Sequence, residues 1–321
     1  MRAAARKAVG LGLLPAARAT SVRAPTLARA EATPLRTLAH QRVHARRLHD
    51  ANSIPPEDRR RAMMMSAPLG FLAGAFGSCV GVGGGALVVP VLASATAAPQ
   101  RVLSGTTLVA VVSTAIVSAT RFGSEGLIDV EAAAILGGAA MLSAPMGARM
   151  TAKMNCEALR RTLAFFLLFA APLVPMKALA FKMKESDDNM KDKVRAFDAK
   201  SSAPQLVAIG MTAGVASGLL GIGGGTIVTP LLALVTPLPQ AAVLGTSLLA
   251  MIPPSVVALA THHRMGNVEP RMGAALAFGT ALGSAFGSSF AVDAPRGALE
   301  AMFFFGMLFL SRSTFRALKK L

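Results

Sequence analysis

The sequence predicts an all-α membrane protein of about eight transmembrane helices, built as two four-segment repeats. Three observations predict it. Long stretches are nearly free of charge: from Ser66 to Ala119 only Arg101 is charged, and from Ala203 to Thr261 there is no Asp, Glu, Lys or Arg. About 20 apolar residues suffice to cross a hydrocarbon core of about 30 Å, so each stretch holds room for a span and more. The whole chain is 53% hydrophobic and only 15% charged, against about 25% charged residues in ordinary soluble domains. Finally, the second half of the chain repeats the first in register.

That register is a constant offset of 140 residues. Gly70–Pro90 aligns without gaps onto Gly210–Pro230, with nine of 21 positions identical, among them Gly81/Gly221, Gly83/Gly223, Gly84/Gly224, Gly85/Gly225 and Pro90/Pro230. It continues through Gln100/Gln240, Gly105/Gly245 and Thr106/Thr246 to the acids Asp129/Glu269 and to Gly147/Gly287. Self-similarity held over that length is the mark of a duplicated unit. Each copy reads as four apolar segments: 66–95, 102–120, 130–150 and 158–181, then 204–235, 242–261, 268–291 and 297–311. Pro172 and Pro175 are expected to kink the fourth segment. The organisation expected is a basic leader over 1–50, a polar lead-in over 51–65, the first repeat over 66–181, a polar linker over 182–203, the second repeat over 204–311 and a basic tail over 312–321.

The net charge of +17 is unevenly placed. Ten basic residues precede position 50, opposed only by Glu31 and Asp50. An Arg- and Ala-rich, acid-poor leader has the composition of an organelle transit peptide, and its low serine content leans towards a mitochondrion over a plastid. The alternative is a basic tail on a protein of another membrane. Nucleic acid is excluded as a partner, because the positive charge lies in the leader and loops and the chain has no Trp or Tyr on which bases stack. Cys79 and Cys156 have no metal-ligand spacing, and neither metal nor cofactor is expected. The spans carry no Asp or Glu deep within them, which removes the chemistry an intramembrane enzyme needs.

Basic residues also set topology. If all eight segments span, Arg59–Arg61, the linker cluster and Arg312, Arg316, Lys319 and Lys320 share one side, richer than the side holding Arg101, Arg149, Lys153, Arg160, Arg161 and Arg296. Both termini then face the matrix or cytoplasm. If the first segment of each copy were instead re-entrant, the copies would be inverted, a common transporter arrangement.

The distinctive motif is Gly81-Val82-Gly83-Gly84-Gly85, matched by Gly221-Ile222-Gly223-Gly224-Gly225 and followed by Thr226. Each interior glycine costs a helix about 1 kcal/mol relative to alanine, so the spacing predicts a break in the first helix of each repeat. Unwound backbone within a bilayer is tolerated only against protein or a watery cavity. A helix N-terminus freed there offers N–H groups and a positive dipole end, which suit an anion. Gly70, Gly74, Gly77, Gly81 and Gly85 also share one helix face, a ridge suited to close helix packing. Packing and solute binding both remain open on this pattern. Thr106 and Thr107, with their counterparts Thr246 and Ser247, follow the conserved-offset Gly105 and Gly245; their hydroxyls either complete an anion cradle or bond the preceding turn. Asp129 and Glu269 open the third segments and read as helix N-terminal partners. His262 and His263 are adjacent, so they point to different sides and do not share a metal. With Arg264 they mark a membrane edge, where an ordinary interfacial position, a gate or a proton relay fits.

The doubled G-x-x-x-G…G-[VI]-G-G-G-x-[LI]-V-x-P pattern, followed by Gln and Gly-Thr, resembles the TauE/SafE family of sulfite exporter-like permeases over about residues 66–315. The resemblance implies a transporter, not an enzyme, for small sulfur-containing or organic anions such as sulfite or sulfonates. The leader, the long linker and the lack of Trp and Tyr depart from it. The binding residues expected are Gly81, Gly83, Gly84, Gly85, Thr106, Thr107, Gly221, Gly223, Gly224, Gly225, Thr226, Thr246 and Ser247. The partners implied are a small anionic solute and the lipid bilayer, with a homo-oligomer left open. The competing reading is a non-transporting membrane scaffold whose glycines serve packing only.

Overall fold

A computed structural model describes residues 56–96, 98–171, 199–295 and 297–318. The leader, Pro172 and Pro175, most of the linker, Arg296 and the last residues of the tail lie outside the described residues. Among the described residues the chain is helical: α1 (Pro56–Val80), α2 (Gly85–Ala95), α3 (Gln100–Ser124), α4 (Val130–Met150), α5 (Cys156–Ala170), α6 (Ala203–Leu220), α7 (Gly225–Val235), α8 (Gln240–Arg264), α9 (Pro270–Asp293) and α10 (Ala298–Leu318). Seven of these are long and apolar enough to cross a membrane, while α2 and α7 are short apolar helices. The fourth segment of the first repeat begins as α5, and its remainder lies outside the described residues. Large apolar side chains face outward, including Leu142 at 75% exposure, Phe286 at 67% and Phe305 at 66%. Bands of that kind suit lipid and would be a liability in water. The protein is a multi-pass membrane protein.

Two boundaries shift. Residues 56–65, expected as a polar lead-in, are already helical and form the start of α1, and Ala203, expected to end the linker, opens α6. The larger difference concerns the first apolar segment of each copy. Each is split by its glycine run into a long helix and a short one, and the short one runs back.

Packing contacts fix the directions. A methyl group placed on Gly279 would meet Ala67 and Phe71, one on Gly283 would meet Phe71 and Ala75, and one on Gly287 would meet Ala75. The two helices therefore advance together, and α1 is parallel to α9. The matched pair behaves alike, with Gly210 on Leu136, Gly214 on Ala140 and Gly218 on Ala144, so α6 is parallel to α4. Next, Gly273 abuts Val109, and the Ser113 hydroxyl donates to the Ala277 carbonyl at 2.8 Å. That makes α3 parallel to α9, and hence to α1. Gly105 near the start of α3 meets His262 and Asn267 at the end of α8, while Gly245 near the start of α8 meets Phe122 and Leu127. Those two helices are antiparallel.

A consequence follows for the chain between α1 and α3. Two consecutive long helices that point the same way need a return path, and α2 supplies it. Gly83 meets Val111 and Met251, which lie near the middle of α3 and α8. The α1–α2 hairpin thus turns half-way along the spanning helices, and the α6–α7 hairpin does the same from the opposite direction.

Small residues make this possible. The glycines of α9 take backbone-to-backbone contact from α1, which raises van der Waals contact where lipid supplies no hydrophobic force between helices. Replacing Gly283 by Leu places a side chain on the Phe71 carbonyl. Thermal unfolding in detergent should show a destabilisation of about 1–3 kcal/mol, as for other overpacked sites; an unchanged melting temperature would refute the close α1–α9 contact.

Candidate functional site

The two glycine runs fold alike. The last turn of α1 closes with the Val82 and Gly83 N–H groups both donating to the Gly77 carbonyl, at 3.0 and 3.4 Å. Gly221 ends α6 in the left-handed conformation at φ 70°, its N–H on the Ser217 carbonyl at 3.0 Å. Gly81, Gly83 and Gly84 have φ of 74°, 71° and 51°, and Gly221, Gly223 and Gly224 have 70°, 79° and 27°. Successive positive φ values are accessible at low cost only to glycine, which explains the composition of the motif. A tight turn follows, with the Gly85 N–H directed to the Gly83 carbonyl and the Gly225 N–H to the Gly223 carbonyl. Helices α2 and α7 start there, each with a glycine at its N-cap and no side chain capping it.

The breaks lie against each other. A methyl group on Gly85 would sit 2.8 Å from the Gly221 carbonyl oxygen, and one on Gly225 would strike the Gly81 carbonyl. Each of these exposed carbonyls is held by a hydroxyl from the other half of the chain. Thr107 donates to Gly221 at 2.8 Å, and Thr229 donates to Gly81 at 2.8 Å with Ser247 behind it at 3.0 Å. Ser104 donates to the Leu220 carbonyl at 3.2 Å. Thr107 also contacts the Leu103 carbonyl one turn back, at 2.8 Å. Turn bonding, one of the two behaviours expected of the hydroxyls after Gly105 and Gly245, occurs at Thr107 and Ser247, alongside bonds to the other half's break that were not expected.

Thr106 and Thr246 lie elsewhere. The Thr246 hydroxyl accepts from the Asp129 N–H and the Thr106 hydroxyl from the Glu269 N–H, both at 3.0 Å. They tie the second helix of each copy to the start of the third helix of the other. Asp129 caps α4, its carboxylate accepting from the Ala132 N–H at 2.8 Å. Glu269 occupies the equivalent N-cap of α9 without a side-chain cap bond. Thr226 is fully buried at the second position of α7, and its hydroxyl has no partner.

Sequence reasoning missed several contributors. Val111 and Met251, which are 140 residues apart, fill the space between the breaks: methyl groups on Gly83 and Gly223 would each lie 2.7 Å from Met251 Cε. Thr229 was missed because its partner carbonyl is 148 residues away in sequence. Thr114, Ser217, Ser255 and Ser284 are fully buried hydroxyls without a partner, and the repeat alignment gives none of them a hydroxyl-bearing counterpart. His262 corrects an expectation. It is not interfacial but fully buried, with Nε2 2.8 Å from the Gly218 carbonyl and Nδ1 3.4 Å from Asn267 Nδ2. Donation from Nε2 to the carbonyl fixes the tautomer in which Nδ1 accepts from the amide. His263, on the other side of the helix, is exposed.

The chain is similar to known membrane transporter proteins. The family described as "Sulfite exporter TauE/SafE" matches residues 7–174 and 206–320. Two relatives come from Bacillus subtilis (strain 168). "Probable membrane transporter protein YunE" is 24% identical over 236 residues, covering 69% of this chain and 85% of that protein. "Probable membrane transporter protein YdhB" is 26% identical over 234 residues, covering 73% of this chain and 92% of that protein. No solved structure matches the chain.

His262→Phe installs the residue found at the equivalent Phe122. It leaves the Gly218 carbonyl without its side-chain donor in a buried site, where an unsatisfied group costs about 1–3 kcal/mol. Thermal unfolding should register a loss of that size, and His262→Gln, which keeps a donor, should recover part of it. Equal stability of His262→Phe and the parent would contradict the assignment.

Proposed function

We propose that this chain, which belongs to the TauE/SafE sulfite exporter family, carries small anions across its membrane by alternating access of two oppositely oriented halves. It is a membrane transporter and not an enzyme. The solutes proposed are sulfite, organosulfonates and related sulfur-containing or organic anions.

One observation carries the proposal. Two unwound glycine turns, delivered by hairpins of opposite direction, meet half-way along the spanning helices, within stretches whose one charged residue is Arg101. Discontinuous helices whose N-termini point into the middle of a membrane protein are a recurrent way to hold an anionic group there. In this reading the amides of Gly84 and Gly224, at the starts of α2 and α7, and the Thr226 hydroxyl face the solute. Thr107 holds the Gly221 carbonyl and Thr229, with Ser247 behind it, holds the Gly81 carbonyl, so that negative ends are turned away from it. Thr106 and Thr246 couple the spanning helices of one half to the third helix of the other, which suits a rocking motion between halves. The spaced glycines, Gly70, Gly74 and Gly77 among them, serve packing; only the consecutive ones open the chain.

The location proposed is the mitochondrial inner membrane, on the strength of the basic, acid-poor first fifty residues. The family match begins at residue 7 and takes in most of that stretch, which weighs against reading all of it as a removable leader.

Purified full-length protein reconstituted in liposomes should move sulfite or a sulfonate. Gly84→Leu and Gly224→Leu should each reduce flux to the protein-free background while the variant still elutes as a monodisperse, helical species. Unaffected flux in both variants would reject the site. A parent protein that moves no anion but forms stable protein complexes would favour the scaffold reading.

A further inference from the structure

The two breaks are not chemically equal. Around the first, α3 presents Thr114 and Ser118 one turn apart to the last turns of α1. Ser118 and Ser78 share a hydroxyl–hydroxyl bond of 2.7 Å, and Ser78 also donates to the Gly74 carbonyl at 2.8 Å. Thr114 Oγ1 lies 3.2 Å from where a methyl group on Gly84 would be, is fully buried, and has no partner. Around the second break the same three positions are Pro254, Ala258 and Gly218, none of which carries a hydroxyl. There the three atoms nearest a methyl group on Gly224 all belong to Ala213, and a partnerless buried hydroxyl is that of Thr226, on α7 itself.

Gly84 is the N-cap of α2, an 11-residue helix with no side-chain cap. Amides at such a terminus lack intrahelical acceptors, and the Thr114 hydroxyl is a donor placed beside them without an acceptor of its own. A cluster of unspent donors asks for an acceptor. The charge of that acceptor is bounded by the surroundings. Arg101 is the only charged residue between Ser66 and Ala119, and its guanidinium is engaged with the Met154 carbonyl at 2.8 Å. On the other half, Ala203–Thr261 contains no Asp, Glu, Lys or Arg. Burying a second negative charge without a cationic partner is far costlier than burying one.

We propose that the first break is the solute-binding subsite, and that it takes a singly charged oxyanion, held by the Gly84 and Ala86 amides and the Thr114 hydroxyl beside the Ser78–Ser118 pair. This rests on the transport reading above and narrows it. Dianions are selected against because, among the described residues of the stretches that form the two breaks, the one cation is Arg101, which is engaged with Met154. Seating the anion requires the α1–α2 hairpin to move away from α3, a displacement that alternation between the two halves supplies.

The test uses the full chain purified in detergent, with methanesulfonate as the monoanion and sulfate as a dianion of similar shape. Ligand-dependent thermal stabilisation and equilibrium binding should favour methanesulfonate over sulfate by at least about tenfold in affinity. Thr114→Val, which keeps shape but removes the donor, should weaken methanesulfonate binding about tenfold or more, as expected for a lost hydrogen bond to a charged group. Thr114→Ser should retain binding, which separates loss of the hydroxyl from loss of fold, and the melting temperature without ligand provides a second check. Unchanged binding in Thr114→Val, loss in Thr226→Val instead, or preference for sulfate would each overturn the subsite. Should methanesulfonate flux persist in the parent while Thr114→Val behaves identically, the subsite fails and the transport reading stands. Should the parent bind and move no anion at all, both fail.

Discussion

Backbone polar groups cannot be left unpaired in a membrane interior, and the arrangement of this protein depends on how that constraint is met at two points. Each glycine run forces the chain out of helical bonding, exposing carbonyls and amides where no bulk water reaches. The carbonyls are met by hydroxyls from the opposite half: Thr107 on Gly221 and Thr229 on Gly81, each at 2.8 Å. Neither break is satisfied by its own half alone. The duplicated halves are therefore bound together at the place where each is least regular, and the contact that stabilises one turn positions the other.

The rest of the fold serves that meeting. Parallel contact of α1 with α9 and of α6 with α4 runs along glycine ridges, which bring backbones close enough to hold the hairpins without large side chains. Val111 and Met251 complete the centre, and their identities differ where the alignment would make them equivalent. The same divergence recurs at Thr114 and Pro254, at Ser118 and Ala258, and at Phe122 and His262. The two halves share their backbone geometry at the breaks and differ in the side chains around them.

Much of this was legible in the sequence, for identifiable reasons. The glycine runs announced their breaks because no other residue tolerates repeated positive φ, and the constant offset paired them before any contact was known. The doubling-back of α2 and α7 was one of two arrangements the sequence left open. An apolar stretch such as 66–95 has the same hydropathy whether it crosses a bilayer obliquely or turns within it, and the direction is fixed only by contacts such as Gly283 with Phe71. The Thr229 latch escaped because its acceptor is remote in the chain. His262 was misplaced because His263 and Arg264 beside it belong at a polar edge, whereas Gly105 and Gly218, which enclose it, are distant in sequence.

The central claim is that the two glycine hairpins enter the membrane from opposite faces. Single cysteines at Ser94 and Pro237, exposed residues at the outer ends of the two hairpins, test it in a background with Cys79 and Cys156 replaced by alanine. Labelling sealed, uniformly oriented vesicles with a membrane-impermeant thiol reagent should modify one position from outside and the other only after the membrane is opened. Modification of both from the same side would contradict the opposed hairpins and, with them, the paired breaks on which the account rests.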